Sequence, residues 1–210
     1  MNKTRDGDGF SLIELLTTVV ISTLVAMAVI PQLQQRLRQA SVDAYTNRLE
    51  AGINQLKANM IGRQDSCEII FPNGAGGEVE ISSAAIESLQ IDTQGEESSC
   101  PQPRDMNGME MPTTELRLIS IKRTHTMQQG DDIRLLISTD AISMSTVGGV
   151  AAPDSTTSHQ PLIIRIRSQK LHQSGKGFER CLQLEPMTGT LIRGTWVGGG
   201  FGSGSCMQNQ

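Results

Sequence analysis

Glu14 is the single formal charge in a run of twenty-one residues, Phe10 to Ile30, that holds no Gly, Pro, Lys or Arg. As a helix such a run is about 31 Å long, close to the thickness of a bilayer hydrocarbon core. A carboxylate at the centre of that core costs roughly 2.5–3.5 kcal/mol, and less near an end. Glu14 is the fifth residue of the run, so it reaches part of the way to the interface. What it asks for is a cation, because charge in hydrocarbon is tolerated when it is matched.

Four cysteines, Cys67, Cys100, Cys181 and Cys206, all lie beyond this run. An even count outside an anchor points to disulfides and an oxidising compartment. Three pairings are open. Linking Cys181 to Cys206 would tie down the Gly-rich stretch between them, leaving Cys67 to staple the strand it opens to the loop that holds Cys100. No CxxC or Cys/His spacing for zinc is present, so no metal is expected. The three histidines, His125, His159 and His172, fall in two loops and at a strand end. None sits in a G-x-S-x-G, H-E-x-x-H or P-loop context, and the glycines from Gly198 to Gly202 precede no helix. Neither a catalytic residue nor a cofactor site is therefore expected.

Charge is unevenly placed: residues 161–210 carry +4, residues 1–160 carry −8, and the whole chain −4. Arg165 and Arg167 alternate with Ile164 and Ile166, which puts both arginines on one face of a strand. With Lys170, Lys176 and Arg180 they form a candidate surface for DNA phosphates. Against this stand the scarcity of aromatic partners, only Phe178, Trp196 and Phe201 in this region, and the plain reading of a solvated sheet face.

The elements that must carry these residues follow from periodicity. Residues 1–9 are polar and glycine-punctuated, a leader. Residues 10–30 are the apolar span. Residues 31–62 continue the helix with Val42, Tyr45, Leu49, Ile53, Leu56 and Met60 at helical steps and Arg48, Glu50, Asn54 and Lys57 between them. Pro31 predicts a kink or local melting, and Gly62 predicts the helix end. Residues 63–210 read as a β-rich domain outside the cytoplasm. Its expected strands are Glu68–Phe71, Val79–Ile81, Ile86–Ile91, a stretch around Leu116, Leu118 and Ile121, Ile133–Ile137, and Leu162–Ile166. A last hairpin joins Glu179–Glu185 to Thr190–Val197 through a Pro186–Gly189 turn. Glu96–Pro112 and Ser138–Gln160 read as loops, and Gly198–Gly204 as a flexible tail. The class is α+β: one long helix on an antiparallel sheet. With aromatic residues at 3 %, Leu, Ile and Val must build the core.

Gly9-Phe10-Ser11-Leu12-Ile13-Glu14, then an apolar helix and Pro31, resembles the N-terminal signature of type IV prepilins and pseudopilins. Arg63 to Phe71 (R-x-D-S-C-E-I-I-F) and Cys181 to Arg193 (C-L-Q-L-E-P-M-T-G-T-L-I-R) are most similar to the GspH/FimT-type pseudopilins. The resemblance implies the pilin fold, cleavage between Gly9 and Phe10 by a membrane-embedded prepilin peptidase, and N-methylation of Phe10. It also supplies the partner Glu14 needs, the amine of a Phe10 during filament assembly. The implied role is structural: a minor pilin or pseudopilin of a type IV pilus or type II secretion machine. It would sit in the inner membrane with its domain in the periplasm, and its partners would be other pilins. Some FimT-like pilins are DNA receptors in natural transformation, which gives the basic strand a second implied role.

Three other readings are open. A plain membrane anchor fits the apolar length but leaves Glu14 and the leader unexplained. An ordinary signal peptide would use Lys3 and Arg5 as its basic region and Ala26-Met27-Ala28 as its cleavage site, but leaves Glu14 and the core length unexplained. A membrane-tethered envelope enzyme would require an activity in the domain from about Leu33 onward.

Overall fold

Val42, Tyr45, Leu49, Ile53, Leu56 and Met60 are all buried, so the stripe expected from the 3.6-residue period is the face that packs. They lie on helix α1 (Leu12–Arg63). The computed structural model describes residues 11–71, 79–89, 91, 98–100, 118–119, 132–145, 149–151 and 161–208. Two compact units divide the chain, Met1–Leu37 and Arg38–Gln210.

Helix α1 stays helical through Pro31, so the expected melting there is absent. Proline removes one hydrogen bond from the ladder, and the turns on either side keep theirs. Gly62 does not end the helix. The left-handed residue is Gln64, φ 58°. The end is closed by Asp65 N–H to the Met60 carbonyl at 3.2 Å and Gln64 N–H to the Ile61 carbonyl at 3.3 Å, the Schellman pattern. Met60 is a core residue, so the helix completes the turn beyond it, and reversal falls on residue 64.

Strands form two antiparallel sheets. One takes β1 (Cys67–Ile70), β3 (Ser98–Ser99), β5 (Ala141–Met144) and β6 (Val150–Ala151) in the order β3-β1-β5-β6. The larger takes β2 (Val79–Ser82), β4 (Ile133–Ile137), β7 (Leu162–Ser168), β8 (Arg180–Leu184), β9 (Leu191–Val197) and β10 (Ser205–Gln208) in the order β10-β9-β8-β7-β4-β2. Residues at period two line its core face: Val79 and Ile81, Ile133, Leu135 and Ile137, Leu162, Ile164 and Ile166, then Leu182 and Leu184. All of them share one apolar cluster with the α1 stripe. The observed class is α+β, a long helix with antiparallel sheets.

Four further expectations are corrected. Ile86–Ile91 is not a strand: Ser83–Ser88 form helix α2, started by the Ser82 hydroxyl accepting from Ala85 N–H at 3.3 Å. The capping serine and two alanines favour a helical turn over extension. Residues 138–160 are not simply a surface loop, because β5 lies there with Ala141, Ile142 and Met144 buried. Small residues hid the alternation. Within Glu96–Pro112, β3 pairs with β1. Finally, Gly198–Gly204 is a turn leading into β10, which pairs with β9 through Ser205–Val197 to Gln208–Gly194. Leu118 and Ile119 are buried but lie in no strand; Leu116 and Ile121 lie outside the described residues.

Candidate functional site

From Leu12 to Ile30 helix α1 carries one charge, Glu14, and is otherwise built of apolar and hydroxyl-bearing residues. The most apolar part of that helix lies wholly unburied, and the helix is long and apolar enough to cross a membrane. Four hydroxyls in it are satisfied locally. Thr17 and Thr18 donate to the Glu14 and Leu15 carbonyls, and Ser22 and Thr23 to those of Thr18 and Val19 or Val20, at 2.7–3.1 Å. Such back-bonding lets an apolar helix carry hydroxyls into lipid without unpaired donors. Glu14 stands in the first helical turn, where the helix dipole favours an anion. Gly9 and Phe10 lie outside the described residues.

Arg165 and Arg167 share the larger sheet's outer face, as alternation required, but that face is not a free basic patch. Arg165 is 6 % exposed. Its Nε and Nη2 donate to Glu179 Oε2 at 3.0 and 2.5 Å, and its guanidinium lies 4.7 Å from the Trp196 ring centroid and 5.3 Å from that of Phe201. Arg167 lies 3.5 Å from Glu80 and 3.7 Å from Glu179. His172 Nδ1 is 3.1 Å from the same Glu179 carboxylate. Burial, ion pairing and aromatic cover thus take Arg165 out of the expected DNA surface.

Arg180 faces the helix instead. It reaches Asp43 at 2.5 Å and donates to the Thr195 hydroxyl at 2.7 Å. Arg193 bonds Asn47 and lies 3.9 Å from Glu50, while Lys57 Nζ donates to the Thr188 and Gly189 carbonyls at 3.0 and 2.8 Å. Asp43, Asn47, Glu50 and Lys57 run along one flank of the apolar stripe, and together they stitch α1 to the β8–β9 hairpin. On α1, Tyr45 is also buried, its hydroxyl donating to the Ser83 carbonyl at 3.5 Å. Burial, with the Glu87 carboxylate adding to it, holds that phenol well above its ordinary pKa.

Of the five basic candidates, Lys170 and Lys176 remain exposed. Both disulfides are present, Cys67–Cys100 and Cys181–Cys206. The second joins β8 to β10 across β9, with Cα atoms 5.8 Å apart. That is short for strands two steps apart, which in a flat sheet stand about 10 Å apart. Gly194 makes the approach possible: a Cβ there would lie 2.2 Å from the Met207 carbonyl oxygen and 3.0 Å from Cys206 Sγ. The turn before β10 is fixed by Trp196 Nε1 donating to the Gly199 carbonyl at 2.9 Å and by the Trp196–Phe201 edge contact. Sequence reading missed this cover over Arg165; the signal was an indole and a phenyl ring flanking a glycine run. Among the described residues no group of three or more His, Cys, Asp or Glu could hold a metal ion. No protein-family model, curated protein or solved structure matches the chain.

Proposed function

We propose that this chain is a minor pilin or pseudopilin, a structural subunit of a type IV pilus or of a type II secretion pseudopilus. The observation that carries the reading is α1: its first half is an unburied apolar helix with one acid at Glu14, and its second half is packed on an antiparallel sheet domain. Such a chain suits two successive solvents for the same helix surface, first lipid and then the apolar core of a filament. In the pilin fold proposed here, prepilin peptidase cuts after Gly9 and Phe10 becomes the methylated N-terminus. Glu14 then pairs with the Phe10 amine of a neighbouring subunit. Two disulfides suit a domain on the oxidising, periplasmic side of the inner membrane.

Intact-mass measurement on protein from cells holding the peptidase tests this. Loss of residues 1–9 with gain of one methyl group is expected. A mature terminus after Ala28 would reject the reading in favour of an ordinary secreted protein.

A further inference from the structure

Phe178 is 68 % exposed in a chain with four phenylalanines, one tyrosine and one tryptophan. Its position is built. Gln39 pairs with its backbone on both sides, Nε2 donating to the Phe178 carbonyl at 3.2 Å and Oε1 accepting from Phe178 N–H at 3.0 Å. The preceding turn is closed by Gly175 N–H to the His172 carbonyl at 3.0 Å and Lys176 N–H to the Leu171 carbonyl at 2.9 Å. Gly175 and Gly177 hold φ at 66° and 110°, values that side chains disfavour. A Cβ at Gly177 would lie 2.9 Å from Leu171 Cβ. Lys170, His172 and Lys176 are exposed on the same segment, and residues 169–178 contain no acid. The carboxylates that touch it are engaged, Asp132 accepting from Lys170 N–H at 2.9 Å and Glu179 paired with Arg165 and His172. A fixed loop thus exposes one ring and two lysines on a single short segment.

We propose that this loop, Lys170 to Phe178, docks on the surface of an anionic lipid bilayer, Phe178 entering the headgroup–acyl boundary and Lys170 and Lys176 meeting lipid phosphates. Rings settle at that depth, and lysines beside them are drawn to anionic headgroups. The inference rests on the proposed membrane insertion of the first helix half. Gln39, which holds the loop, follows Ile30 by nine residues, a tether of at most about 32 Å even when fully extended. Tethering makes contact with the bilayer intramolecular, so one ring and two lysines suffice where a free domain would need more. The docked form would hold the domain down until the subunit is drawn into a filament.

The test uses the full chain reconstituted in vesicles of phosphatidylcholine, with or without phosphatidylglycerol, containing brominated acyl chains that quench indole emission. Trp196, 6 % exposed, gives the background, read from the unsubstituted chain. Phe178→Trp is expected to be quenched with phosphatidylglycerol present. Adding Lys170→Glu and Lys176→Glu is expected to lower the docked-to-undocked ratio roughly tenfold or more. Val20→Trp, quenched in both compositions, reports insertion. If Val20→Trp is unquenched, the membrane reading itself fails; if only Phe178→Trp is unquenched, docking alone is overturned. Equal quenching in both compositions, unmoved by the charge reversals, overturns lipid-phosphate recognition. Retention of duplex DNA on the vesicles, lost in the double reversal while Phe178→Trp stays unquenched, would reassign the lysines to nucleic acid. Backbone hydrogen exchange over residues 174–178 in the unsubstituted chain gives an independent readout: it should slow with phosphatidylglycerol, and an unchanged rate overturns the proposal.

Discussion

Arg165 gives two hydrogen bonds to one oxygen of Glu179, at 3.0 and 2.5 Å, while the Trp196 ring covers its guanidinium. Both partners are largely withdrawn from water, with side chains 7 % and 15 % exposed. Removing Arg165 takes the nearest cation from Glu179 and leaves it Arg167 at 3.7 Å and His172 at 3.1 Å. The cost then approaches but need not reach the roughly 3–5 kcal/mol of a fully stranded buried charge, whereas replacing both with apolar groups is milder. Arg165→Ala should therefore lower the denaturation midpoint sharply, and Arg165→Met with Glu179→Leu should recover most of it. Titration with duplex DNA at two salt concentrations is the companion measurement. An Arg165→Ala protein of undiminished stability with weakened, salt-dependent DNA binding would restore this arginine to a phosphate-binding role.

The Cys181–Cys206 bond and Gly194 form one device. The bond closes twenty-five residues, which the chain-entropy account values at roughly 3–4 kcal/mol. Cys181→Ser with Cys206→Ser should lose about that much, and β10 should exchange its backbone hydrogens faster than β8. Gly194→Ala should disturb the same strand with both cysteines present, because the added Cβ meets the Met207 carbonyl at 2.2 Å. Unchanged exchange in β10 for both variants would mean that pairing with β9 and the Trp196–Phe201 contact hold the strand without the bond.

Two glycines of α1 should respond with opposite signs. At Gly52 a Cβ would stand 1.9 Å from the Leu118 carbonyl oxygen, whereas at Gly62 nothing lies within 4 Å. Alanine is the better helix former by about 1 kcal/mol, so Gly62→Ala should stabilise by about 0.5–1 kcal/mol. Gly52→Ala should destabilise by roughly 1–3 kcal/mol, since the backbone it meets cannot step aside as a side chain would. Parallel thermal unfolding of the two variants decides it; equal stabilisation would mean that residues 118–119 yield easily.

What the sequence made legible was what repeats. The α1 stripe, the apolar run and the β8–β9 hairpin each carry a period or a turn signature, and each is found. Of the three pairings the four cysteines left open, the structure takes the one that ties the Gly-rich stretch to the sheet. Long-range matters were not legible. Alternation placed Arg165 and Arg167 on one face, but no local pattern says that Glu179, fourteen residues on, or Trp196, thirty-one residues on, converges there. Nor does a Gly-rich stretch announce that it is a turn, since glycine that serves flexibility and glycine that serves close approach look alike. β5 was hidden because Ala141 and Ser143 are small and blur the contrast on which strand reading depends.

Glu14 carries the sharpest prediction of the proposed function. An acid in an apolar helix needs a cation, and on this reading the cation is the Phe10 amine of a neighbouring subunit. Breaking a buried ion pair costs about 3 kcal/mol or more, roughly a hundredfold in an equilibrium. Glu14→Gln and Glu14→Ala should therefore both be cleaved after Gly9 at the normal rate yet enter filaments roughly a hundredfold less well. Glu14→Asp should fall between, since it keeps the charge and shortens the reach. The measurement pairs intact mass, which reads cleavage, with cross-linking to the major pilin, which reads incorporation. Normal incorporation of Glu14→Ala would show that the carboxylate is only tolerated by the membrane, and would remove the assembly role from this residue.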